Sequence, residues 1–272
     1  MAEFHLEGLA LSCKPLGESD RLLTLLSDSH GLSRLAVPGA RRPKSSLAAA
    51  VPLAHLRLQV SGSRGLRRVR QLRLLHSYGG LGQQLESLAA AQALAELCLA
   101  LVPSDVPAPG MLADLLMQLG RLEQQVREQG ASIEALAVAV QGAVHLLAVG
   151  GFALPLGRCA LSGAALQPPI GDWSWRCSFL PAEGLVIGTR NDARLVLNAS
   201  ELALLQRLVR PALPRRRDGL LMGPLAVWLR LLELVACWCD QHLGRRPRAF
   251  RLLSGSLAGL MESGAMDAEM PS

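Results

Sequence analysis

The sequence predicts an α+β protein: a five-stranded N-terminal barrel of the OB type, followed by a mainly helical domain that carries a small irregular insertion. Three observations lead there. Residues 4–75 read as short apolar runs separated by turn formers. Beyond residue 80 the text changes to Leu, Ala, Gln and Glu, with apolar positions three and four apart. Half of the 272 residues are apolar, ample for buried cores, so disorder is excluded as the dominant state.

The five strands are expected at 4–13, 21–28, 32–39, 51–60 and 66–75. The last two alternate best: Leu56, Leu58 and Val60 in one, and Val69, Leu72 and Leu74 beside arginines in the other. The Ser61-Gly62-Ser63-Arg64-Gly65 segment between them reads as a hairpin turn, because glycine takes positive φ without a Cβ clash. Five such strands in about seventy residues match a small closed Greek-key barrel, and the OB-fold is the common nucleic-acid-binding form of it. Runs such as 21–28 are also compatible with helix by composition.

Helices are expected at 81–102, 110–129 and 131–150, with Pro103, Pro107 and Pro109 between the first two. Residues 152–192, with their Gly, Pro, two Trp and two Cys, read as the irregular insertion. Helix resumes near Ser200-Glu201, where Ser200 can cap, and again over 223–243. The domain boundaries are thus 1–80 for the barrel, 81–151 with 193–251 for the helical domain, 152–192 for the insertion and 252–272 for a flexible tail. Residues 135–156 lack Asp, Glu, Lys and Arg and could span a bilayer by length. Gln141, His145, Gly150-Gly151 and Pro155, without aromatic or basic flanks, favour the central helix of a bundle instead. His145 then reads as a satisfied core residue. With no signal-peptide pattern and six irregularly spaced cysteines, a cytoplasmic location without membrane association is expected.

Charge is unevenly distributed. The net charge is +6, yet residues 1–80 carry 12 Lys+Arg against 5 Asp+Glu, residues 81–206 carry 6 against 11, and residues 207–251 carry 10 against 3. A polyanion-binding activity therefore belongs first to the barrel. Its tightest cluster is Arg41, Arg42 and Lys44 in the GARRPKS segment 39–45, which Pro43 makes a loop. With Arg21, Arg34, Arg67, Arg68 and Arg70 these form the expected nucleic-acid-binding set. A solvated charge run without function is the bland reading of any such cluster, and the concentration of so many cations on one small barrel outweighs it. Phe4 and Tyr78 are the barrel's only Phe, Tyr or Trp residues. Binding is then expected to rest on phosphates, with little sequence preference and strong salt dependence.

No phosphate-cradling Gly-rich Lys motif, nucleophile elbow or metal-ligand spacing of the histidines is present, so no enzymatic activity is expected. Glu18 and Asp20, beside Arg21, read as fixing loop geometry. An alternative is a helical protein-interaction scaffold in which the basic barrel is accessory; a third reading places the basic stretch 207–251 on anionic lipid.

Several segments also resemble a known family: Glu7-Gly8-Leu9-Ala10-Leu11, GESDRLLTLL at 17–26, His30-Gly31, GARRPKS at 39–45 and, near the end, Gln241-His242-Leu243-Gly244-Arg245-Arg246. In order and spacing they are similar to the RecO recombination mediators of bacterial DNA repair. The resemblance implies an OB-fold, a helical domain and, in some members, a zinc-binding insertion. It implies a non-enzymatic protein of the bacterial nucleoid that binds single- and double-stranded DNA and anneals complementary strands. RecR, the acidic tail of single-strand-binding protein and, indirectly, RecA recombinase are its implied partners. It carries DNA contact over to Arg21, Arg41, Arg42 and Lys44. The zinc-bearing pattern is two Cys-x2-Cys pairs. Here Cys159 is followed three positions on by Ser162 and Cys177 by Leu180, so both cysteines read as remnants and no zinc or other cofactor is expected.

Overall fold

The computed structural model describes residues 3–62 and 66–267. Five strands form a closed barrel: β1 (Glu3–Leu16), β2 (Asp20–Ser27), β3 (Gly31–Val37), β4 (Ala54–Ser61) and β5 (Arg67–Ser77). Their order is β1-β2-β3-β5-β4, antiparallel throughout except for a short parallel contact that pairs Leu35 with Arg67 and Ala36 with Arg68. This is the OB-fold. The expected turn at 61–65 falls partly outside the described residues, at 63–65.

The barrel interior is filled by Leu6, Ala10, Leu23, Leu25, Leu35, Leu56, Leu58, Val60 and Val69. β1 does not alternate cleanly, because both of its faces are covered. Leu6 and Ala10 enter the barrel, whereas Leu9 and Leu11 join the core of the helical domain. A bulge between Ala10 and Ser12 accompanies the change of face. Between β3 and β4 a string of turns lets Ala40, Leu47 and Ala50 close the barrel end as an apolar plug.

Beyond a 3-10 turn at Gly79–Gln83, the helical domain comprises α1 (Leu85–Leu101), α2 (Met111–Arg127), α3 (Ser132–Val149), α4 (Ala199–Arg207), α5 (Leu225–Leu243) and α6 (Arg248–Asp267). Helix α3 is long and apolar enough to cross a membrane, but it is the core helix of this domain: residues Ala135 to Val144 are buried without interruption and α1, α2 and α5 pack around it. Its polar groups are satisfied. His145 Nε2 donates to the Leu208 carbonyl at 2.8 Å, and Gln141 donates to the carbonyls of Arg210 and Ala212.

Three details differ from the sequence reading. The cap of α4 is Asn198, not Ser200: Asn198 Oδ1 accepts from the Glu201 N–H and the Glu201 carboxylate accepts from the Asn198 N–H, both at 2.9 Å. Segment 252–272 is not a frayed tail as far as it is described, since α6 reaches Asp267 and packs on α1 with Phe250, Leu253 and Leu257 buried. Ala249, Phe250, Leu253 and Leu257 form a helical stripe hidden among Ser and Gly. Finally, the insertion is less irregular than expected. Strands β6 (Arg176–Leu180), β7 (Gly184–Ile187) and β8 (Leu195–Asn198) form a small antiparallel sheet in the order β7-β6-β8, and its Cys177 and Phe179 sit in the helical core.

Barrel and helices meet through the Pro-rich link between α1 and α2. Leu32 N–H donates to the Pro103 carbonyl, Asp105 N–H to Leu32 and Ala108 N–H to Asp28. The Asp28 carboxylate also accepts from Leu112 N–H at 2.9 Å, satisfying a free donor in the first turn of α2. Gly31, at φ 58°, is required at this joint: a Cβ there would stand 2.1 Å from the Val106 carbonyl oxygen.

Candidate nucleic-acid interface

The tightest group of the barrel's cations, Arg41, Arg42 and Lys44, sits where the β1–β2 turn meets the loop after β3. Asp20 opens β2, and its carboxylate accepts from the Gly39 N–H at 2.8 Å and from Ser19 Oγ at 3.0 Å. Those two bonds hold its carboxyl below the usual range, and the nearby Arg68 and Arg42 lower it further. Arg68 pairs with Ala36, one residue before β3 ends and the loop that carries Arg42 begins. Arg41 N–H donates to the Ser19 carbonyl at 2.9 Å and its guanidinium to the Gly17 carbonyl at 3.2 Å, so the loop is clamped to the turn while Arg41, Arg42 and Lys44 stay exposed. Lys44 takes the left-handed conformation, at φ 58°.

Of the eight residues singled out from sequence, Arg34, Arg41, Arg42, Lys44, Arg68 and Arg70 are exposed. Arg34 on β3 neighbours the parallel contact that places Arg67 and Arg68 on the adjacent strand. Arg70 also donates from Nε to Ser61 Oγ at 2.8 Å. The other two differ from expectation. Arg21 is half-buried and donates to the carbonyls of Ala48 and Ala50, each at 3.0 Å, so it secures the loop instead of projecting from it. Arg67 pairs with Asp105 at 2.6 Å and lies over the Phe4 ring at 5.4 Å, with its side chain 13% exposed. Residue types alone could not separate these roles, since an arginine that pins a loop and one that projects from it look alike.

Aromatic platforms are scarce on this surface. Phe4 is engaged by Arg67 and by His30, whose ring centroid is 5.5 Å away, and Tyr78 is buried against His76. The sequence reading assigned no site to Lys14, which is exposed on β1 and faces arginines from the other end of the chain. No local signal marks such a residue.

The insertion does not fit a zinc ion. Burial pushes the Cys159 thiol up, but the Ser162 hydroxyl and the N–H groups of Ser162, Ile187 and Leu161 outweigh it and bring the pKa to about 7. Cys177 lies close enough for Cys159 to raise it, and burial is the larger cause that takes it to about 11. Two thiols do not complete a tetrahedral site, and among the described residues no group of three or more His, Cys, Asp or Glu could hold a metal.

A closed five-stranded barrel with a cationic rim, fused to a helical domain, defines an OB-fold protein with a basic display surface. Family models extend this over nearly the whole chain: "Recombination protein O N terminal" matches residues 1–78 and "Recombination protein O C terminal" matches 82–268. The chain is 62% identical to the DNA repair protein RecO of Synechococcus sp. (strain WH7803), covering 93% of this chain and 94% of that relative. It is 61% identical to RecO of Prochlorococcus marinus (strain MIT 9303), over 92% and 94%, and 30% identical to RecO of Trichodesmium erythraeum, over 93% and 94%. The chain belongs to the RecO family of bacterial recombination and DNA repair proteins.

Proposed function

We propose that this protein is a non-enzymatic recombination mediator that holds DNA strands by their phosphates and anneals them. The observation that carries this is the clamped loop with Arg41, Arg42 and Lys44 exposed, on a barrel that also exposes Arg34 and Arg68 and whose Phe4 and Tyr78 are engaged in internal contacts. Two complementary strands repel through their backbones. A surface that neutralises phosphate lowers that barrier, and one that does not stack bases leaves them free to pair. Single and double strands are both accepted, because phosphate contacts carry no sequence information. In the nucleoid the protein acts with RecR on strands coated by single-strand-binding protein, whose acidic tail it recognises, and so assists loading of RecA.

The test is annealing of complementary oligonucleotides, bare and coated with single-strand-binding protein, by wild type and by an Arg41→Ala/Arg42→Ala/Lys44→Ala variant. Loss of annealing on both substrates is expected. Wild-type rates in the variant would remove the barrel loop from the reaction.

A further inference from the structure

A second cationic feature lies away from the barrel loop. The end of β1 and the turn between α5 and α6 face each other across a cleft of about 460 Å³, lined by Lys14, Glu96, Leu99, Arg245, Arg246 and Arg248 among others. The two cationic walls come from opposite ends of the chain. Gly244, at φ 67°, ends α5 and turns the backbone so that three basic residues follow within four positions. Arg245 is tied to the Leu99 carbonyl, and Arg246 pairs with Glu233 at 3.1 Å and reaches Cys237 Sγ. These two are fixed in place. Lys14 and Arg248 are exposed and have no side-chain hydrogen bond or ion pair among the described residues. The one carboxylate lining the cleft, Glu96, already accepts from the Ala249 N–H at the start of α6.

We infer that this inter-domain cleft is a second phosphate-binding station, which receives the same polynucleotide backbone after it leaves the barrel loop. The inference rests on the DNA-binding reading above and extends it to a defined path. Position supports the path. Lys14 lies three residues from Gly17, whose carbonyl holds Arg41, and three strand residues span about 10 Å. That is about three phosphate steps along one strand of a duplex. Charge supports it as well: Lys14, Arg245 and Arg248 face a single carboxylate, an arrangement that costs free energy through self-repulsion and is relieved by a polyanion. A strand crossing from barrel to cleft would be held at both domains.

The experiment measures affinity for single strands of about 6 and about 25 nucleotides across a salt series, the shorter matching the lower range of OB-fold site sizes. The proteins are wild type, Lys14→Glu/Arg248→Glu, its neutral counterpart Lys14→Gln/Arg248→Gln, and the barrel-loop triple variant. Each released phosphate contact lowers the salt slope by about 0.7 on a single strand, so two contacts separate wild type from the cleft variants by about sevenfold in affinity change between 50 and 200 mM salt. That difference is expected on both lengths, because about six nucleotides already cover the roughly three phosphate steps between loop and cleft. A wild-type salt slope on the long strand in the Gln pair, which adds no new charge repulsion to the fold, would overturn the inference. So would loss of binding to phosphatidylglycerol vesicles with DNA binding intact, which would make the cleft a lipid site. Failure of the barrel-loop reading looks different, because the triple variant would then bind the short strand as wild type does.

Discussion

Asp20 and Gly39 are joined by a 2.8 Å hydrogen bond from the Gly39 N–H to the Asp20 carboxylate, which ties the cationic loop to the strand that opens beside it. Asp20 is thus a positioning residue for Arg41 and Arg42. Asp20→Ala is expected to weaken DNA binding and lower its salt slope, whereas Asp20→Asn, which keeps an acceptor oxygen, restores most of both. Equal salt slopes for Asp20→Ala and wild type would separate the bond from the loop's function.

The same bond has a pH signature. Its donors depress the folded-state pKa of Asp20, so its stabilisation is complete above the ordinary carboxylate range and disappears as pH falls through the lowered value. Urea midpoints of wild type and Asp20→Asn, compared from neutral pH downwards, should converge below that value. A gap that stays constant to the lowest pH would point to another group.

Barrel-loop binding is expected to be electrostatic throughout. Removing the three charges of Arg41, Arg42 and Lys44 should reduce the single-strand salt slope by about 2, with similar losses on unrelated sequences. Anisotropy titrations on homopolymers and a mixed sequence check this. A loss confined to one sequence would indicate base readout.

Gly31→Ala is expected to destabilise the protein by roughly 2–4 kcal/mol, because the left-handed φ and the Val106 carbonyl both oppose a Cβ. Thermal unfolding reads the loss. The effect should act on the joint between barrel and helices, so proteolysis should first increase in the link between α1 and α2.

At the other end of the chain, Leu253→Ala is expected to cost about 2–5 kcal/mol, as for any fully buried leucine, and deletion after residue 251 more. Denaturant midpoints measure both. In the insertion, ultraviolet thiolate absorbance should show an inflexion near 7 that Cys159→Ser removes, and chelators should leave the unfolding midpoint unchanged. Because the folded-state pKa of Cys159 is depressed, its contribution grows as pH rises from about 7 towards the ordinary thiol range and is lost below.

Much of the architecture is visible in local pattern. The strands of the barrel, the three helices α1 to α3 and the boundary near residue 80 follow from periodicity and turn formers, which act over a few residues. The concentration of charge in residues 1–80, and the GARRPKS loop as its centre, are likewise local properties. α6 is hidden because small residues dilute its apolar stripe, and the surface that makes the stripe worth burying comes chiefly from α1, with α5 and α3. Which arginines project and which are consumed by the fold is a tertiary matter. Arg21 meets the carbonyls of Ala48 and Ala50, and Arg67 meets Asp105, partners that lie tens of residues away and are brought near only by barrel closure and domain docking. Lys14 gains its arginine neighbours in the same way, from a turn at the far end of the chain. The barrel strands, helices α1 to α3 and the placing of the charge depend on neighbours along the chain, and the residues alone reveal them, whereas α6 and the small sheet β6–β8 depend on what they pack against. Which charges are consumed by internal partners and which face outward depends on neighbours in space, so it becomes visible in the folded chain alone.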